Sequence, residues 1–219
     1  MEFKISGINT IYDGWGRYLV ATIRLPDGTT LRREVEDHGR ATCVLAFDPQ
    51  RRTALLVRQF RAPVFVATQQ TETLEAIAGI VEGSDPAACA RREAMEEAGV
   101  ALTALEHVVT GWSMPGLSTE RMDLYLAEYG AASRVAAGGG VSSEHEYITV
   151  AEVPLAELAA MADTGTLTDM KTLLLVQTLR LRRSDLFASE GGETPSAPQR
   201  APRGEENGGT GAEPHHRAP

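Results

Sequence analysis

The chain has 219 residues, of which 42% are hydrophobic and 23% are charged, and its formal net charge is −9. This composition is typical of a globular protein with one sizeable core, and it excludes the broad basic surface that nucleic acids and anionic membranes require. No apolar stretch is long enough to span a membrane and the N-terminus lacks a secretory pattern, so we expect a cytoplasmic protein. Cys43 and Cys89 match no metal-ligand spacing and are expected to be buried, reduced thiols.

Short apolar runs in the first forty residues predict an antiparallel sheet over residues 1–40. The segments RYLVATIRL and TTLRREVED are joined by Pro26, Asp27 and Gly28, a turn sequence that favours a hairpin. Two further strands, ATCVLAFDP and TALLVRQF, flank a turn at residues 50–52, and LEAIAG is predicted as a third strand. The core sheet is therefore expected to begin near residue 41.

A helix is predicted between Asp85 and Gly99, because Asp85 can cap free amides, Pro86 suits the first helical position and glycine ends helices. The segments LEHVVTGWSM, ERMDLYLAEY and EYITVAEV are predicted as strands, and LAELAAMADTG and DMKTLLLVQTLRLRRSDLF as helices. This order of sheet, helix, sheet and helices predicts an α+β sandwich.

The last part of the chain, residues 188–219, is rich in Gly, Pro, Glu and Ser and almost free of large apolar residues. Such a composition predicts a disordered tail. We interpret His215 and His216 within it as incidental rather than as metal ligands.

The segment RREAMEEAGV crowds carboxylates onto the helix that begins at Asp85. Glu93, Glu96 and Glu97 are three and four residues apart, so their side chains project close together. Like charges at this spacing cost roughly 0.2 to 0.5 kcal/mol per exposed pair, and a divalent cation would remove that cost. The alternative is a solvated acidic face that is paired with neighbouring arginines.

The same segment resembles the signature of the Nudix hydrolase family, Gly-x5-Glu-x7-Arg-Glu-hydrophobic-x-Glu-Glu-x-Gly-hydrophobic. Its second half is matched by Arg92, Glu93, Ala94, Glu96, Glu97, Gly99 and Val100. The first half departs, since counting back from Arg92 places Ser84 at the leading glutamate and Ala78 at the glycine, with Gly79 one position away. The loop IVEGSDP is thus one residue short.

The shortened loop is similar to that of the GDP-mannose hydrolases, a Nudix subgroup, and further similarities extend from about residue 31 to about residue 180. The resemblance implies the Nudix fold, a mixed-sheet α/β/α sandwich, over residues 41–187. It also implies a homodimer in which the N-terminal antiparallel sheets exchange across the interface. The implied cofactor is Mg²⁺, with Mn²⁺ as an alternative.

The resemblance assigns metal ligation to Glu93, Glu97 and the carbonyl of Ala78, with Glu97 also in a catalytic role. A further acid, as metal ligand or catalytic group, is expected from the segment GGGVSSEHEYITV. The later motif E-x-I-x-V favours Glu146, whereas counting from the glycines favours Glu144.

The resemblance also implies substrate contacts. Arg61 and Lys171 occupy positions that contact the nucleotide sugar in the subgroup. Weaker candidates for contacts with the base or the sugar are Arg33, Glu34, Glu120 and Trp15. Trp15 could equally be a packing aromatic at a dimer interface.

The leading hypothesis is a Mg²⁺-dependent hydrolase that cleaves the pyrophosphate of a nucleoside diphosphate sugar to a nucleoside monophosphate and a sugar 1-phosphate. GDP-mannose is the first substrate expected, and ADP-ribose and UDP-glucose are alternatives. A second hypothesis is a non-catalytic nucleotide-sugar sensor with a Nudix fold. Ser84 and the altered loop support the sensor, whereas the retained Glu93 and Glu97 argue against it.

Overall fold

A computed structural model describes residues 2–140 and 147–188 of the chain. The described residues form ten strands, four α-helices and two short 3-10 turns. In chain order the elements are β1 (Lys4–Asp13), β2 (Arg17–Arg24), β3 (Thr30–Asp37), β4 (Arg40–Asp48), β5 (Thr53–Gln59), α1 (Ala62–Thr68), β6 (Thr73–Glu75), β7 (Ile77–Ile80), α2 (Pro86–Ala98), β8 (Glu106–Trp112), β9 (Arg121–Glu128), a 3-10 turn (Ala131–Ser133), β10 (Ile148–Pro154), α3 (Leu155–Thr164), α4 (Met170–Arg182) and a 3-10 turn (Ser184–Phe187).

The first three strands form a separate antiparallel sheet in the order β1-β2-β3. The predicted hairpin between β2 and β3 is confirmed, with Arg24 opposite Thr30 and a turn in which Gly28 adopts a φ of 86°. All ten residues of β1 are exposed. This sheet joins the rest of the fold through β3, where the Glu36 backbone bonds to Leu117 and Thr119.

The central sheet is mixed and has the order β10-β5-β4-β9-β8, with β6 paired to β5 and β7 paired to β4. Strands β4 and β9 are parallel, and the other pairs are antiparallel. The prediction of LEAIAG as one strand is wrong, because the chain changes partner at Ala76. The Ala76 amide leaves the ladder there and donates to Thr172 Oγ1 on α4 at 2.6 Å.

Helices cover both faces of the central sheet, as the predicted α/β/α sandwich requires. Alternation along β4 sends Cys43, Leu45 and Phe47 to one face and Val44 and Ala46 to the other. On the face with Cys43, Leu45 and Phe47, side chains of α3 and α4 complete a first core cluster. They are Leu155, Leu158, Leu175, Val176 and Leu179. Side chains of α2 complete the second, with members Ala90, Ala94 and Ala98. Full burial of each large side chain contributes roughly 1.5 to 3 kcal/mol.

The ends of α2 follow the sequence prediction. The Asp85 side chain accepts hydrogen bonds from two amides of the first turn, and Gly99 ends the helix with a φ of 63°. The prediction of one long final helix is wrong, since α4 ends at Arg182 and residues 184–187 form the 3-10 turn. Helix α1 was not predicted, because its seven residues bury no side chain and so lack an amphipathic pattern.

Both cysteines are buried and free, as the sequence predicts. Residues up to 188 form one compact unit. Within the described ranges 2–140 and 147–188, no helix is long and apolar enough to cross a membrane. Of the predicted tail over residues 188–219, residues 189–219 lie outside these ranges, so their disorder stays a prediction.

Candidate active site

Helix α2 places two carboxylates against strand β7. Glu97 is buried, with 3% of its surface exposed, and its Oε2 accepts a hydrogen bond from the Ala78 amide at 3.2 Å. Glu93 lies one turn earlier, and a Cβ atom at Gly79 would stand 2.1 Å from its Oε1. A Cβ atom at residue 79 would therefore displace the Glu93 carboxylate from this position.

Arg92 partly compensates the negative charge on the acidic face of α2. Its guanidinium donates to Glu93 at 2.5 Å and to Glu96 at 2.6 Å. Partial burial would lower the pKa of Arg92, but the charges of Glu93 and Glu96 and a contact with Cys89 raise it above its usual range. Arg92 therefore lies beside Glu93 and Glu96 as a charged guanidinium, and this pairing does not decide between the solvated face and the metal site.

The residues on α2 and β7 fit a divalent cation, although they do not complete a site alone. Carboxylate oxygens of Glu93 and Glu97 are the hard ligands that Mg²⁺ prefers, and the absence of a side chain at Gly79 lets the Glu93 carboxylate lie directly against β7. Among residues 2–140 and 147–188, no three acidic, His or Cys side chains form a metal-binding group. The predicted further acids, Glu144 and Glu146, lie outside the described residues.

The two cations expected to contact substrate, Arg61 and Lys171, converge on Glu75. Arg61 precedes α1 and donates through Nε and Nη2 to Oε1 and Oε2 of Glu75, both at 2.8 Å. Lys171, in the first turn of α4, donates to Glu75 Oε2 at 2.6 Å and to Asp169 at 2.8 Å. We call Arg61, Glu75, Asp169 and Lys171 the ion-pair cluster.

Electrostatics favour the charged forms of Glu75, Lys171 and Arg61. Burial alone would raise the pKa of Glu75, but hydrogen bonds from Arg61 and the charges of Lys171 and Arg61 lower it to about 2. Burial would lower the pKa of Lys171, but Glu75 and Asp169 raise it. The Glu75 hydrogen bond raises the pKa of Arg61, and the charge of Glu97 contributes as well, which links the cluster to α2.

Sequence reasoning did not identify Glu75 as a site residue. A signal was present, because Glu75 is a single charge in the otherwise apolar strand LEAIAG. Such a charge is rarely buried without a partner. Its partners lie 14 and 96 residues away, so only the fold reveals them.

The weaker candidates lie elsewhere and have local contacts. Glu34 in β3 accepts a hydrogen bond from the Tyr18 hydroxyl, and Arg33 donates to the carbonyl of the preceding residue. Trp15 is 81% exposed and packs 5.0 Å from the His38 ring. Glu120 lies in the β8–β9 loop, with its amide bonded to the Ser118 hydroxyl. Substrate-binding roles for these residues stay predictions.

Comparison with known proteins identifies the family. The family model of the NUDIX domain matches residues 37–175. The chain belongs to the Nudix family. This Nudix protein is 40% identical over 159 residues to a GDP-mannose pyrophosphatase of Cronobacter sakazakii, a match that covers 71% of this chain and 82% of the relative. It is also 37% identical over 149 residues to a GDP-mannose pyrophosphatase of Citrobacter koseri, covering 68% of this chain and 77% of the relative.

A solved structure confirms the Nudix fold. The crystal structure of an ADP compounds hydrolase matches with a TM-score of 0.67 and covers 84% of this chain and 96% of that chain. The sequence identity is 15%, so this likeness concerns the fold. Nudix hydrolases generally use divalent metal ions, in agreement with the paired carboxylates on α2.

Proposed function

We propose that this Nudix protein is a Mg²⁺-dependent hydrolase that cleaves the pyrophosphate of a nucleoside diphosphate sugar to a nucleoside monophosphate and a sugar 1-phosphate. The observation that carries the proposal is the placement of Glu93 and Glu97 on α2 against the backbone at Ala78 and Gly79. GDP-mannose is the preferred substrate, since the two relatives described above are GDP-mannose pyrophosphatases.

In the proposed site, one set of groups binds the metal ion and another binds the substrate phosphates. Glu93, Glu97 and the Ala78 carbonyl would hold Mg²⁺, with Mn²⁺ as a substitute, and either Glu144 or Glu146 would add a further carboxylate. When bound, such a cation neutralises charge developing on a phosphoryl oxygen and lowers the pKa of a bound water toward neutrality.

Arg61 and Lys171 bind and orient the phosphates. Because Arg61 donates to Glu75 through Nε and Nη2, its Nη1 group can donate to a phosphate oxygen. The Lys171 ammonium has three donors and gives one each to Glu75 and Asp169, so a third can reach the substrate. Both cations thus keep a donor for the substrate while they remain anchored.

Product analysis tests this function. The protein is incubated with Mg²⁺ and, separately, GDP-mannose, ADP-ribose, UDP-glucose and GTP, and the products are separated by anion-exchange chromatography. We expect GMP and mannose 1-phosphate from GDP-mannose. Faster turnover of ADP-ribose or UDP-glucose would reassign the substrate, and tight binding of one nucleotide sugar without turnover of any would establish the sensor.

Matched variants test the metal assignment. Glu97→Gln should remove turnover with the circular dichroism spectrum unchanged, because glutamine keeps the size of the side chain and loses the charge that binds the cation. Glu157→Gln, on the exposed face of α3, is the control and should retain activity. Normal turnover by Glu97→Gln would contradict the assignment.

The protein is proposed to act as a homodimer that associates through β1. This strand is hydrogen-bonded along one edge to β2 and exposes several large apolar side chains. These are Ile5, Ile8, Ile11 and Tyr12, with Phe3 and Trp15 flanking them. An exposed apolar strand at a sheet edge favours pairing with another chain.

Light scattering tests the dimer. The unmodified protein should have the mass of two chains at micromolar concentration. Ile8→Asp should shift it toward one chain, whereas Asn9→Asp, the next residue and on the opposite face of β1, is the control. A single-chain mass for the unmodified protein would contradict the proposal.

We also propose that the enzyme works in the cytoplasm. Cys43 and Cys89 are buried as free thiols, and burial raises the pKa of the Cys43 thiol well above its usual range. Free, unreactive thiols suit a reducing compartment.

A further inference from the structure

We propose that Glu75 is a positioning residue of the hydrolase, which fixes Arg61 and Lys171 in the orientation that the substrate phosphates require. Glu75 is then neither a metal ligand nor a general base. This inference rests on the proposed function, since Arg61 and Lys171 have a role in catalysis only if the protein acts on a pyrophosphate.

The hydrogen bonds of Glu75 leave no acceptor site for a metal or a proton. Oε1 accepts from Arg61 Nε and from the Thr73 hydroxyl, and Oε2 accepts from Arg61 Nη2 and Lys171 Nζ. A carboxylate has about four lone-pair sites, so these four donors saturate it. The side chain can therefore act only through the groups that it holds.

The exposed fractions of the three side chains show that Glu75 is the most deeply buried member of the hydrogen-bonded group. The Glu75 side chain is 4% exposed, Lys171 14% and Arg61 42%. The carboxylate thus lies deepest, and the guanidinium extends from it toward solvent. Two parallel hydrogen bonds fix the plane of the guanidinium, which a single contact would leave free to rotate.

The cluster joins three parts of the chain that no local signal connects. Glu75 ends β6, Arg61 precedes α1 and Lys171 lies in α4. Asp169 caps α4 by accepting from the Thr172 amide and also accepts from Lys171, so the helix start and the ammonium are fixed by one side chain. Glu75 is the group that both substrate cations share.

The charges of the cluster cancel, since Arg61 and Lys171 are cations and Glu75 and Asp169 are anions. The cluster therefore offers the substrate directed hydrogen bonds rather than net positive charge. Loss of the Glu75 charge would leave a net positive cluster that still attracts phosphate but no longer orients it. Substrate affinity and turnover should respond differently to this change.

Steady-state kinetics with GDP-mannose and Mg²⁺ test the inference. For Glu75→Gln we expect kcat to fall about 10- to 100-fold, because misplaced groups at a reacting centre cost that much, with KM unchanged or lower. The matched control is Glu152→Gln, since Glu152 likewise forms an ion pair with an arginine, Arg51, and accepts a hydrogen bond from a threonine, Thr53, in a network that lacks the predicted substrate cations. This control should retain kcat. A kcat for Glu75→Gln within about 2-fold of the unmodified enzyme would overturn the inference.

A second variant keeps the test decisive if Glu75→Gln does not fold. Thr73→Val removes one of the four donors to Glu75 with little change of shape, and Thr73 is buried, with 7% exposed. Loosening the carboxylate in this way should lower kcat roughly 3- to 10-fold, in proportion to one lost hydrogen bond. An unchanged kcat in Thr73→Val would overturn the inference on its own.

The outcome for the unmodified enzyme separates the two proposals. If it turns over no nucleotide sugar, the proposed function fails, whereas turnover with insensitive Glu75 and Thr73 variants overturns only the positioning role. The Arg61 Nε proton reports the cluster without turnover, because a bidentate contact should protect it from solvent exchange in nitrogen-15 NMR spectra. Protection should be lost in Glu75→Gln, and exchange as fast as that of an exposed arginine in the unmodified protein would also overturn the inference.

Discussion

Acidification should remove a defined part of the stability of this fold through Glu75. Burial alone would raise the Glu75 pKa, but Arg61 and Lys171 lower it from 4.5 to about 2. Since the folded-state pKa lies below the unfolded value, the stabilisation is complete above about pH 5 and is lost as the pH falls toward 2. This lowering of the Glu75 pKa contributes roughly 3 kcal/mol to the free energy of unfolding at neutral pH, of which about 2 kcal/mol is lost by pH 3.

Urea unfolding followed by far-ultraviolet circular dichroism measures this loss. The free energy of unfolding is determined at pH 6, 5, 4 and 3 for the unmodified protein and for Glu75→Gln, which cannot titrate at this position. The free energy of unfolding of the unmodified protein minus that of Glu75→Gln should fall by about 2 kcal/mol from pH 6 to pH 3, because the Glu75 pKa is lowered in the folded state.

A surface ion pair provides the control for this measurement. Asp163 is bonded to Arg180, and both side chains are substantially exposed, so solvent screens the pair. The difference between the unmodified protein and Asp163→Asn should change much less over the same pH range. A Glu75→Gln difference that stays constant from pH 6 to pH 3 would refute the reasoning.

Two further substitutions test α2 and its contact with β7. Gly79→Ala places a Cβ atom 2.1 Å from Glu93 Oε1, so the affinity for Mn²⁺ in an electron paramagnetic resonance titration should fall about tenfold or more. Gly111→Ala is the control, since its Cβ would meet no atom within 4 Å, and equal affinities of the two variants would contradict the prediction. Asp85→Ala removes the hydrogen-bond acceptor at the start of α2 and should lower the free energy of unfolding, measured with urea, by about 1 kcal/mol. An unchanged free energy of unfolding would contradict the role of Asp85 as a stabilising cap.

The parts of the fold predicted correctly from sequence depend on local signals. Asp85 and Gly99 limit α2 through groups within one helical turn, and Gly28 supplies the positive φ that the hairpin turn needs. These signals do not depend on the rest of the chain. The residues that resemble the family signature likewise lie within one segment, and the match of the NUDIX domain model to residues 37–175 confirms the family.

The parts that were missed depend on distant contacts. Ala76 leaves its strand because Thr172 offers an acceptor, and Glu75 is stable when buried because Arg61 and Lys171 reach it. The predicted long final helix ends early and is followed by a turn that buries Leu186. No spacing rule in the sequence reports such contacts. The metal and substrate roles of the candidate site residues stay predictions for the experiments above.

The hydrogen bond from Ala76 to Thr172 and the contact of Lys171 with Glu75 have a consequence for the order in which the protein becomes functional during synthesis. The carboxylates of α2 and strand β7 leave the ribosome long before α4. Until α4 follows, Glu75 lacks its lysine and Ala76 lacks its acceptor. We therefore expect a nascent chain that ends before residue 170 to be inactive, so that hydrolysis of the substrate begins only when nearly the whole domain has been made.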